Sequence, residues 1–287
     1  MIISVASGKG GTGKTTVAVN LALVLAEKYT VEFIDADVEA PNAHLFLRPT
    51  FVGQAEATIP VPVVDEEKCT YCGRCAEACA FNALAVSEGI VMVFAELCHG
   101  CGGCSFVCPE GAISEMPRSV GIVEWGRAEE FNLDFAHGKL RPGEALAPPI
   151  TRQVKKHMGR AEIAVVDAPP GTACPAVEAV KKSDFCLLVT EPTPFGLRDL
   201  DLTVKMLRKI GLPMGVVINR ADMGDAEVGE YCRSRGIPVF AELPFDRRVA
   251  TAYANGEPIV RSVPGWKEHF EHIAGAVLER TAAREGA

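Results

Sequence analysis

Short apolar runs alternate with longer amphipathic stretches through most of the chain. The runs at 2–7, 31–35 and 163–167 are almost continuously apolar, which is typical of strands buried on both faces. After the first run, apolar residues recur at helical spacing and predict a helix at 14–28. The same patterns predict strands at 185–190, 214–219 and 237–243 and helices at 197–210 and 226–235. This alternation predicts an α/β fold with a mostly parallel sheet covered by helices on both faces.

The alternation breaks between about residues 61 and 118. Cysteine, glycine and acidic residues become frequent there, and eight acidic against three basic residues give the stretch a net charge of −5. The segments 69–84 and 98–113 share one cysteine spacing, so the stretch contains two copies of one unit. We therefore predict a small inserted domain at 61–118 and a discontinuous larger domain at 1–60 and 119–287.

Composition excludes several classes of protein. Hydrophobic residues make up 48% and charged residues 23% of the 287 residues, which is globular rather than disordered composition. The net charge of −8 disfavours binding of nucleic acid, because phosphates repel an acidic surface. No apolar stretch reaches the roughly 18 residues of a membrane-spanning helix, and the C-terminal residues are not notably basic. We expect a soluble, cytoplasmic protein with neither nucleic acid nor a membrane as a stable partner.

A glycine-rich loop lies between the first predicted strand and the first predicted helix. Residues 8–15 read Gly-Lys-Gly-Gly-Thr-Gly-Lys-Thr, which fits the phosphate-binding pattern G-x-x-x-x-G-K-[ST] in the required strand–loop–helix context. Backbone N–H groups of such a loop approach phosphate oxygens, Lys14 reaches the β- and γ-phosphates, and the Thr15 hydroxyl ligates Mg²⁺. The predicted nucleotide-binding residues of the loop are Gly10, Gly11, Thr12, Gly13, Lys14, Thr15 and Thr16.

Lys9 adds a second lysine near the start of this loop. Such a lysine resembles the deviant Walker A motif of the MinD/Mrp/ParA family of P-loop ATPases, and the resemblance covers nearly all of the chain outside the insert. It implies an ATPase that uses ATP and Mg²⁺ and forms a homodimer, or a heterodimer with a related ATPase. It further implies that Lys9 reaches across the dimer to the partner's phosphates, as an arginine finger does in trans.

Later segments resemble the remaining motifs of this family, in the expected order. Residues 33–37, Phe-Ile-Asp-Ala-Asp, resemble switch I, which implies that Asp37 orients the attacking water and that Asp35 lies near the Mg²⁺ ion. Residues 164–172 resemble a Walker B motif joined to switch II, which places Asp167 in the outer shell of the metal. The adenine-side loops at 216–220 and 243–246 add Asn219, Pro244 and Asp246. Singly, each of these polar residues could merely cap a turn at a strand end.

Eight of the 11 cysteines fall in the inserted stretch, in two runs with the spacing C-x2-C-x2-C-x3-C. Clustered cysteines in a long chain of cytoplasmic type are more often metal ligands than disulfides. Soft thiolates favour iron–sulfur clusters or zinc. The first run is Cys69, Cys72, Cys75 and Cys79, and the second is Cys98, Cys101, Cys104 and Cys108.

The two runs resemble bacterial two-cluster ferredoxins, in which the fourth cysteine of each run ligates the other cluster. The resemblance implies a small α+β ferredoxin-like domain with two [4Fe–4S] clusters. Pro109 keeps the proline that follows a run in these proteins, whereas Ala80 replaces it after the first run. The implied ligands are Cys69, Cys72, Cys75 and Cys108 for one cluster and Cys79, Cys98, Cys101 and Cys104 for the other.

The three remaining cysteines differ in their surroundings. Cys186 and Cys232 lie in apolar patterns and are interpreted as small core residues. Cys174 follows Asp167 by seven residues, a position similar to that of a cluster ligand in the nitrogenase iron protein, although a structural thiol is the simpler interpretation. The C-terminal CxxC of Mrp-type cluster carriers is missing from this sequence.

These motifs together favour an ATP-hydrolysing iron–sulfur protein. Hydrolysis would be slow, stimulated by the dimer or a partner, and coupled to electron transfer through the two clusters to a redox partner protein. Two alternatives stay open from the sequence: a scaffold that assembles or delivers iron–sulfur clusters, and a MinD/ParA-like regulatory ATPase whose clusters sense redox state.

Overall fold

The computed structural model describes residues 1–285 of the chain. The strands are β1 (Ile2–Ala6), β2 (Val31–Asp35), β3 (Thr50–Val64), β4 (Leu84–Ser87), β5 (Ile90–Val93), β6 (Ile113–Ala128), β7 (Leu133–Leu140), β8 (Ile163–Asp167), β9 (Phe185–Thr190), β10 (Met214–Asn219) and β11 (Val239–Leu243). The helices are α1 (Lys14–Ala26), α2 (His44–Leu47), α3 (Arg74–Glu77), α4 (Gly103–Val107), α5 (Ala147–Val154), α6 (Cys174–Val180), α7 (Pro194–Ile210), α8 (Glu227–Ser234), α9 (Arg247–Ala254), α10 (Ile259–Ser262) and α11 (Lys267–Glu285).

Nine strands form one sheet in the order β11-β10-β9-β1-β8-β2-β7-β6-β3. Neighbouring strands from β11 to β7 run parallel, whereas β6 pairs antiparallel with both β7 and β3. The prediction of a mostly parallel α/β sheet is confirmed, because every strand predicted for the larger domain lies in this sheet. Strands β4 and β5 form a separate two-stranded sheet.

The core consists of two apolar layers, one on each face of the sheet. On β2, Phe33 packs into the layer beneath α1 and α11, while its neighbour Ile34 packs into the layer beneath α5 to α8. Since each strand residue points to the face opposite its neighbours, a strand buried on both faces must be apolar at every position. This requirement explains the continuous apolar runs that the sequence shows.

Strand register brings the carboxyl ends of three strands together. Val5 lies opposite Asp167 in the pairing of β1 with β8, and Asp35 lies opposite the same residue in the pairing of β2 with β8. The loop that follows β1, the switch I aspartates and the Walker B aspartate therefore meet at one edge of the sheet. In open α/β sheets this edge is where ligands bind.

The inserted stretch is carried on a long antiparallel arm formed by β3 and β6. The arm pairs from Thr50 with Arg127 as far as Val64 with Ile113, so both strands continue through positions 60 and 118. β3 is an edge strand, which tolerates Pro60 and Pro62 because their missing N–H groups would face away from β6. A small buried cluster within the insert consists of Val61, Ala83 and Cys98.

The last helix closes one face of the sheet. Phe270, Ile273 and Val277 of α11 are buried in the same apolar layer as Trp266, which lies just before the helix. This apolar face of the helix therefore packs into the core. In the part of the chain from residue 1 to 285, no helix combines the length and the apolar character needed to cross a bilayer.

Candidate functional site

A cavity of about 440 Å³ opens at the carboxyl ends of the central strands. This volume is in the range of small-molecule sites. The cavity brings together most of the predicted nucleotide-site residues from four distant segments: Gly10, Gly11, Gly13, Lys14, Thr15, Thr16, Asp37, Asn219, Pro244 and Asp246. Four other predicted residues do not line it, namely Lys9, Thr12, Asp35 and Asp167.

The glycine-rich loop is fixed against the adenine-side loop. Gly13, directly before α1, has a φ of +89°, a conformation that side-chain-bearing residues rarely adopt. A Cβ atom there would collide with the Asn219 amide. That amide donates a hydrogen bond from Nδ2 to the Thr12 carbonyl oxygen at 2.8 Å. The pattern G-x-x-x-x-G-K-[ST] therefore specifies both the turn and its contact with β10.

Lys14 and Thr15 converge on Asp167 at the end of β8. Lys14 is only 7% exposed and forms an ion pair with the fully buried Asp167 carboxylate. The Thr15 hydroxyl donates to the second oxygen of the same carboxylate at 2.6 Å. Asp37 lies 4.0 Å from Lys14 Nζ on the cavity side. The lysine, hydroxyl and carboxylate that the sequence assigns to phosphate and Mg²⁺ are thus in direct contact.

The two switch I aspartates have different surroundings. Asp35 is fully buried, and its carboxylate accepts backbone N–H bonds from Asp37 at 3.2 Å and from Asn42 and Ala43 at 3.0 Å. Burial, reinforced by the neighbouring Asp167 carboxylate, raises the pKa of Asp35 to about 7. In this structure its oxygens therefore organise the loop after β2 rather than face the cavity.

Asp37 lines the cavity, and the pKa of its carboxyl group lies near neutral pH. Burial raises the pKa of Asp37 to about 6, although the nearby Lys14 ammonium opposes the shift. A carboxylate that is ionised at neutral pH but has a raised pKa is suited to hold an attacking water and accept its proton. The geometry is therefore compatible with the role predicted for Asp37.

Lys9 is held outside the cavity by an ion pair within its own chain. Its Nζ lies 3.1 Å from Glu191 Oε2, while Glu191 Oε1 accepts from Arg220 Nη1 at 2.5 Å. Glu191 follows β9 directly, so it lies at the same edge of the sheet as the loop. Glu191 was not among the predicted site residues, although a charged residue at the end of a buried strand is a usable signal.

The adenine side of the cavity contains an aromatic wall that the sequence analysis also did not assign to the site. Asp246 begins α9 by accepting the Arg248 backbone N–H at 2.8 Å, and it accepts the Trp266 indole N–H at 3.2 Å. Hydrogen bonds from Arg248 hold the pKa of Asp246 well below its usual range. The aromatic residues that line the cavity are Phe245, Tyr253, Trp266 and Phe270.

The eight cysteines of the insert line two further cavities, each with members of both runs. One is lined by Cys69, Cys72, Cys75 and Cys108, and the other by Cys79, Cys98, Cys101 and Cys104. All eight are free thiols. Within residues 1–285, no three histidine, cysteine or acidic side chains converge on a point where a single metal ion could be held.

The two cysteine runs share the same backbone conformation and the same N–H···S hydrogen bonds. The first cysteine of each run accepts a backbone N–H two residues ahead, from Tyr71 and from Gly100, at 3.4 Å. The last cysteine accepts an N–H four residues ahead, from Ala83 and from Ala112, at 3.3 Å. Left-handed backbone recurs at the equivalent positions Tyr71 and Gly100, Gly73 and Gly102, and Asn82 and Gly111. The internal repeat of the sequence is therefore also a repeat of backbone geometry.

The cysteines outside the insert agree with their sequence patterns. Cys186 in β9 and Cys232 in α8 are fully buried, as predicted for small core residues. Burial raises the pKa of Cys232 to about 11, so this thiol stays protonated. Cys174 is exposed in the first turn of α6, just after the switch II segment.

The chain is similar to known proteins over most of its length. The model of the CobQ/CobB/MinD/ParA nucleotide-binding domain matches residues 3–259. Uncharacterized protein MJ0579 of Methanocaldococcus jannaschii is 32% identical, over 97% of this chain and 98% of that protein. An iron-sulfur cluster carrier protein of Aquifex aeolicus is 27% identical, over 92% of this chain and 62% of its own length.

A solved structure shows the same fold. The septum site-determining protein MinD of Pyrococcus horikoshii, complexed with Mg-ADP, superposes with a TM-score of 0.60 at 22% identity, covering 96% of this chain and 95% of that one. The family match covers the glycine-rich loop, both switch segments and the adenine-side loops. The chain belongs to the CobQ/CobB/MinD/ParA family of nucleotide-binding P-loop ATPases.

Proposed function

We propose that the protein hydrolyses ATP as a dimer and couples its nucleotide state to electron transfer through two [4Fe–4S] clusters in the insert. The observation that carries this proposal is the composition of the two insert cavities. Each is lined by three cysteines of one run and one of the other, which is the crossed ligand set of two-cluster ferredoxins. A nucleotide cavity in the same chain supports the coupling to ATP.

ATP would enter the 440 Å³ cavity with its base on the aromatic wall and its phosphates at the glycine-rich loop. Lys14 and Thr15 would exchange part of their contact with Asp167 for contacts with the phosphates and the ion. Mg²⁺, when bound, supplies a Lewis acid that neutralises charge on the phosphate oxygens. Asp37 would hold the water that attacks the γ-phosphorus, and cleavage of the bond to the bridging oxygen would release ADP and phosphate. Lys9 would stabilise the partner's phosphates in the closed dimer.

The chemistry of the insert fits two clusters. Four cysteines line each cavity. Backbone N–H groups donate to the sulfur of the first and of the last cysteine in both runs. Around a cluster, N–H···S bonds of this kind help to set the reduction potential. The net charge of −5 on residues 61–118 favours a redox partner with a basic docking surface.

Cluster content is the first measurement. Protein purified without oxygen is expected to hold about eight iron atoms and about eight inorganic sulfides per chain, because each of two [4Fe–4S] clusters holds four of each. Iron and acid-labile sulfide analysis measures both numbers. Stoichiometric zinc without sulfide would refute the cluster assignment and leave the nucleotide site unaffected.

The crossed ligation makes a sharper prediction about pairs of cysteines. Cys79 and Cys101 line the same cavity although they belong to different runs, so replacing both with serine is expected to leave about four iron atoms per chain. Replacing Cys79 together with Cys72, a cysteine of the same run that lines the other cavity, is expected to remove both clusters. Iron analysis of the two double variants checks the difference, with Cys174→Ser as the control. If the Cys79/Cys101 variant instead held less iron than the Cys72/Cys79 variant, each run would bind its own cluster.

A second candidate function is transfer of clusters to other proteins. It is favoured by the similarity to the Aquifex aeolicus iron-sulfur cluster carrier protein. A carrier is expected to lose its clusters to an apo-ferredoxin acceptor within minutes. An electron-transfer protein is expected to keep them through repeated oxidation and reduction in the presence of an iron chelator.

A further inference from the structure

Helix α5 lies between the nucleotide site and the arm that carries the insert. It occupies Ala147–Val154, and Ile150, Thr151 and Val154 are buried within the layer it helps to form. None of the motifs found in the sequence falls in this segment. On one side the helix packs beside Val38, the residue after switch I, and against α6, which follows switch II; on the other side it contacts both strands of the arm.

The first set of contacts joins α5 to the switch segments. Ile150 packs so closely over Gly138 that a Cβ there would lie 2.6 Å from Ile150 and 2.8 Å from Val38. Val38 directly follows Asp37, and its carbonyl accepts the Leu140 N–H at 2.8 Å. Any displacement of the loop after β2 therefore meets the buried side of α5.

The turn after α5 is anchored to the switch II helix. Lys155 Nζ donates to three carbonyl oxygens at the C-terminal end of α6: Glu178 at 3.0 Å, Ala179 at 2.7 Å and Lys181 at 2.6 Å. Helix α6 begins just after the switch II segment, whose Gly171 N–H donates to the Ser7 carbonyl of the glycine-rich loop at 2.8 Å. The positive ammonium at a helix C-terminus also complements the helix dipole.

The second set of contacts joins α5 to the arm. Gln153 Nε2 donates to the Thr58 carbonyl of β3 at 3.1 Å. Glu144, just before α5, pairs at 2.5 Å with Arg118 of β6. The other oxygen of Glu144 accepts the N–H groups of Ala145 and Leu146 at 3.1 and 3.2 Å. One side chain thus fixes both the approach to α5 and the strand that leaves the insert.

We propose that α5, with Glu144 and Lys155 at its ends, transmits movement of the switch segments to the β3–β6 arm. The proposal rests on the coupling proposed above and names the residues that carry it. Interiors are packed too densely for one element to shift without moving its contacts. Closure of the switches around ATP would therefore displace α5 and, through Glu144 and Gln153, the base of the insert.

The test is hydrogen–deuterium exchange of the full chain with and without Mg²⁺ and a non-hydrolysable ATP analogue. In the wild type, the analogue is expected to change exchange in α6, in α5 and in the arm at 55–64 and 113–120. The double variant Glu144→Gln, Gln153→Ala removes both polar links to the arm, while the glutamine oxygen can still accept the N–H groups before α5. We expect it to keep the response in α6 and lose most of the response in the arm.

The control is Arg208→Ala, which removes a side-chain hydrogen bond from α7 to the Arg235 carbonyl at the end of α8. This variant is expected to behave as the wild type does. An arm that responds equally in the double variant, or an arm that does not respond in the wild type, would overturn the proposal. The measurement needs no cluster, so the iron and sulfide analysis decides the cluster assignment separately.

Discussion

Replacing Lys14 with alanine is expected to abolish ATP binding. Lys14 lines the nucleotide cavity beside Asp37. It is the lysine that the glycine-rich motif predicts to contact the phosphates. Hydrogen bonds to charged groups contribute about 1.5–3 kcal/mol each, and 1.4 kcal/mol corresponds to a tenfold change in affinity. Loss of contacts to two phosphates is therefore expected to weaken binding by about 100-fold or more. Isothermal titration calorimetry with a non-hydrolysable analogue measures the change.

The same lysine also neutralises a buried carboxylate, so folding must be measured in parallel. Removing one partner of a buried ion pair costs about 3–5 kcal/mol in comparable cases, and Asp167 is fully buried. Lys14→Gln keeps a hydrogen-bond donor for Asp167 but carries no charge for the phosphates. We expect this variant to retain the circular-dichroism melting transition better than Lys14→Ala, with binding lost in both.

The matched control is Lys205→Ala, which removes an exposed lysine paired with Asp201 on the surface of α7. Such surface pairs contribute about 0–1 kcal/mol to stability, so the control is expected to bind and melt as the wild type does. A folded Lys14→Gln variant that binds the analogue with unchanged affinity would place the phosphates somewhere other than the glycine-rich loop.

The α/β body could be predicted from sequence because its strands are buried on both faces and its helices show clear periodicity. For the helices and strands that were predicted there, the differences lie at their ends and have local causes. Helix α7 begins at Pro194 rather than at 197, since the Thr193 side chain accepts the Gly196 N–H and caps the helix earlier. Strand β11 begins at Val239 rather than at 237, because the Ile237 N–H bonds back to Cys232 at the end of α8.

The arm was harder to predict because its sequence contains residues that disfavour strands. Pro60 and Pro62 lie within β3, and Gly121 and Gly126 lie within β6. Pairing with β7 and packing by Ile150 against Gly121 overcome these local preferences. Propensity is a weak guide where tertiary packing decides the conformation.

The members of the nucleotide site could be predicted from motifs, but their partners could not. Motif spacing placed Lys14 and Asp37 at one cavity, whereas the contact of Lys9 with Glu191 joins residues far apart in sequence. That ion pair depends on the adjacency of β1 and β9 in the sheet. Sequence order alone contains no signal for it.

Replacing Lys9 with alanine is expected to leave nucleotide binding nearly unchanged and to remove dimer-dependent hydrolysis. Lys9 does not line the cavity of its own chain and is 32% exposed at its side chain, so it is accessible to a partner. A cationic side chain supplied in trans accelerates phosphoryl transfer by about 10³–10⁵-fold. We expect a loss of about 1,000-fold in the turnover that depends on protein concentration, measured by phosphate release across a dilution series.

Glu191→Gln distinguishes a role in trans from a role within the chain. This variant breaks the same ion pair as Lys9→Ala, and also the pair of Glu191 with Arg220, but it leaves the lysine charge free. If Lys9 acts on the partner's phosphates, Glu191→Gln is expected to hydrolyse ATP at least as fast as the wild type. The ion pair of Lys9 with Glu191 competes with the contact to the partner and contributes about 0–1 kcal/mol. Its removal is therefore expected to raise the affinity of the dimer that forms with the ATP analogue by no more than about fivefold. Light scattering after size exclusion measures this change. If Glu191→Gln instead loses hydrolysis as fully as Lys9→Ala, Lys9 serves only to hold Glu191 in its own chain.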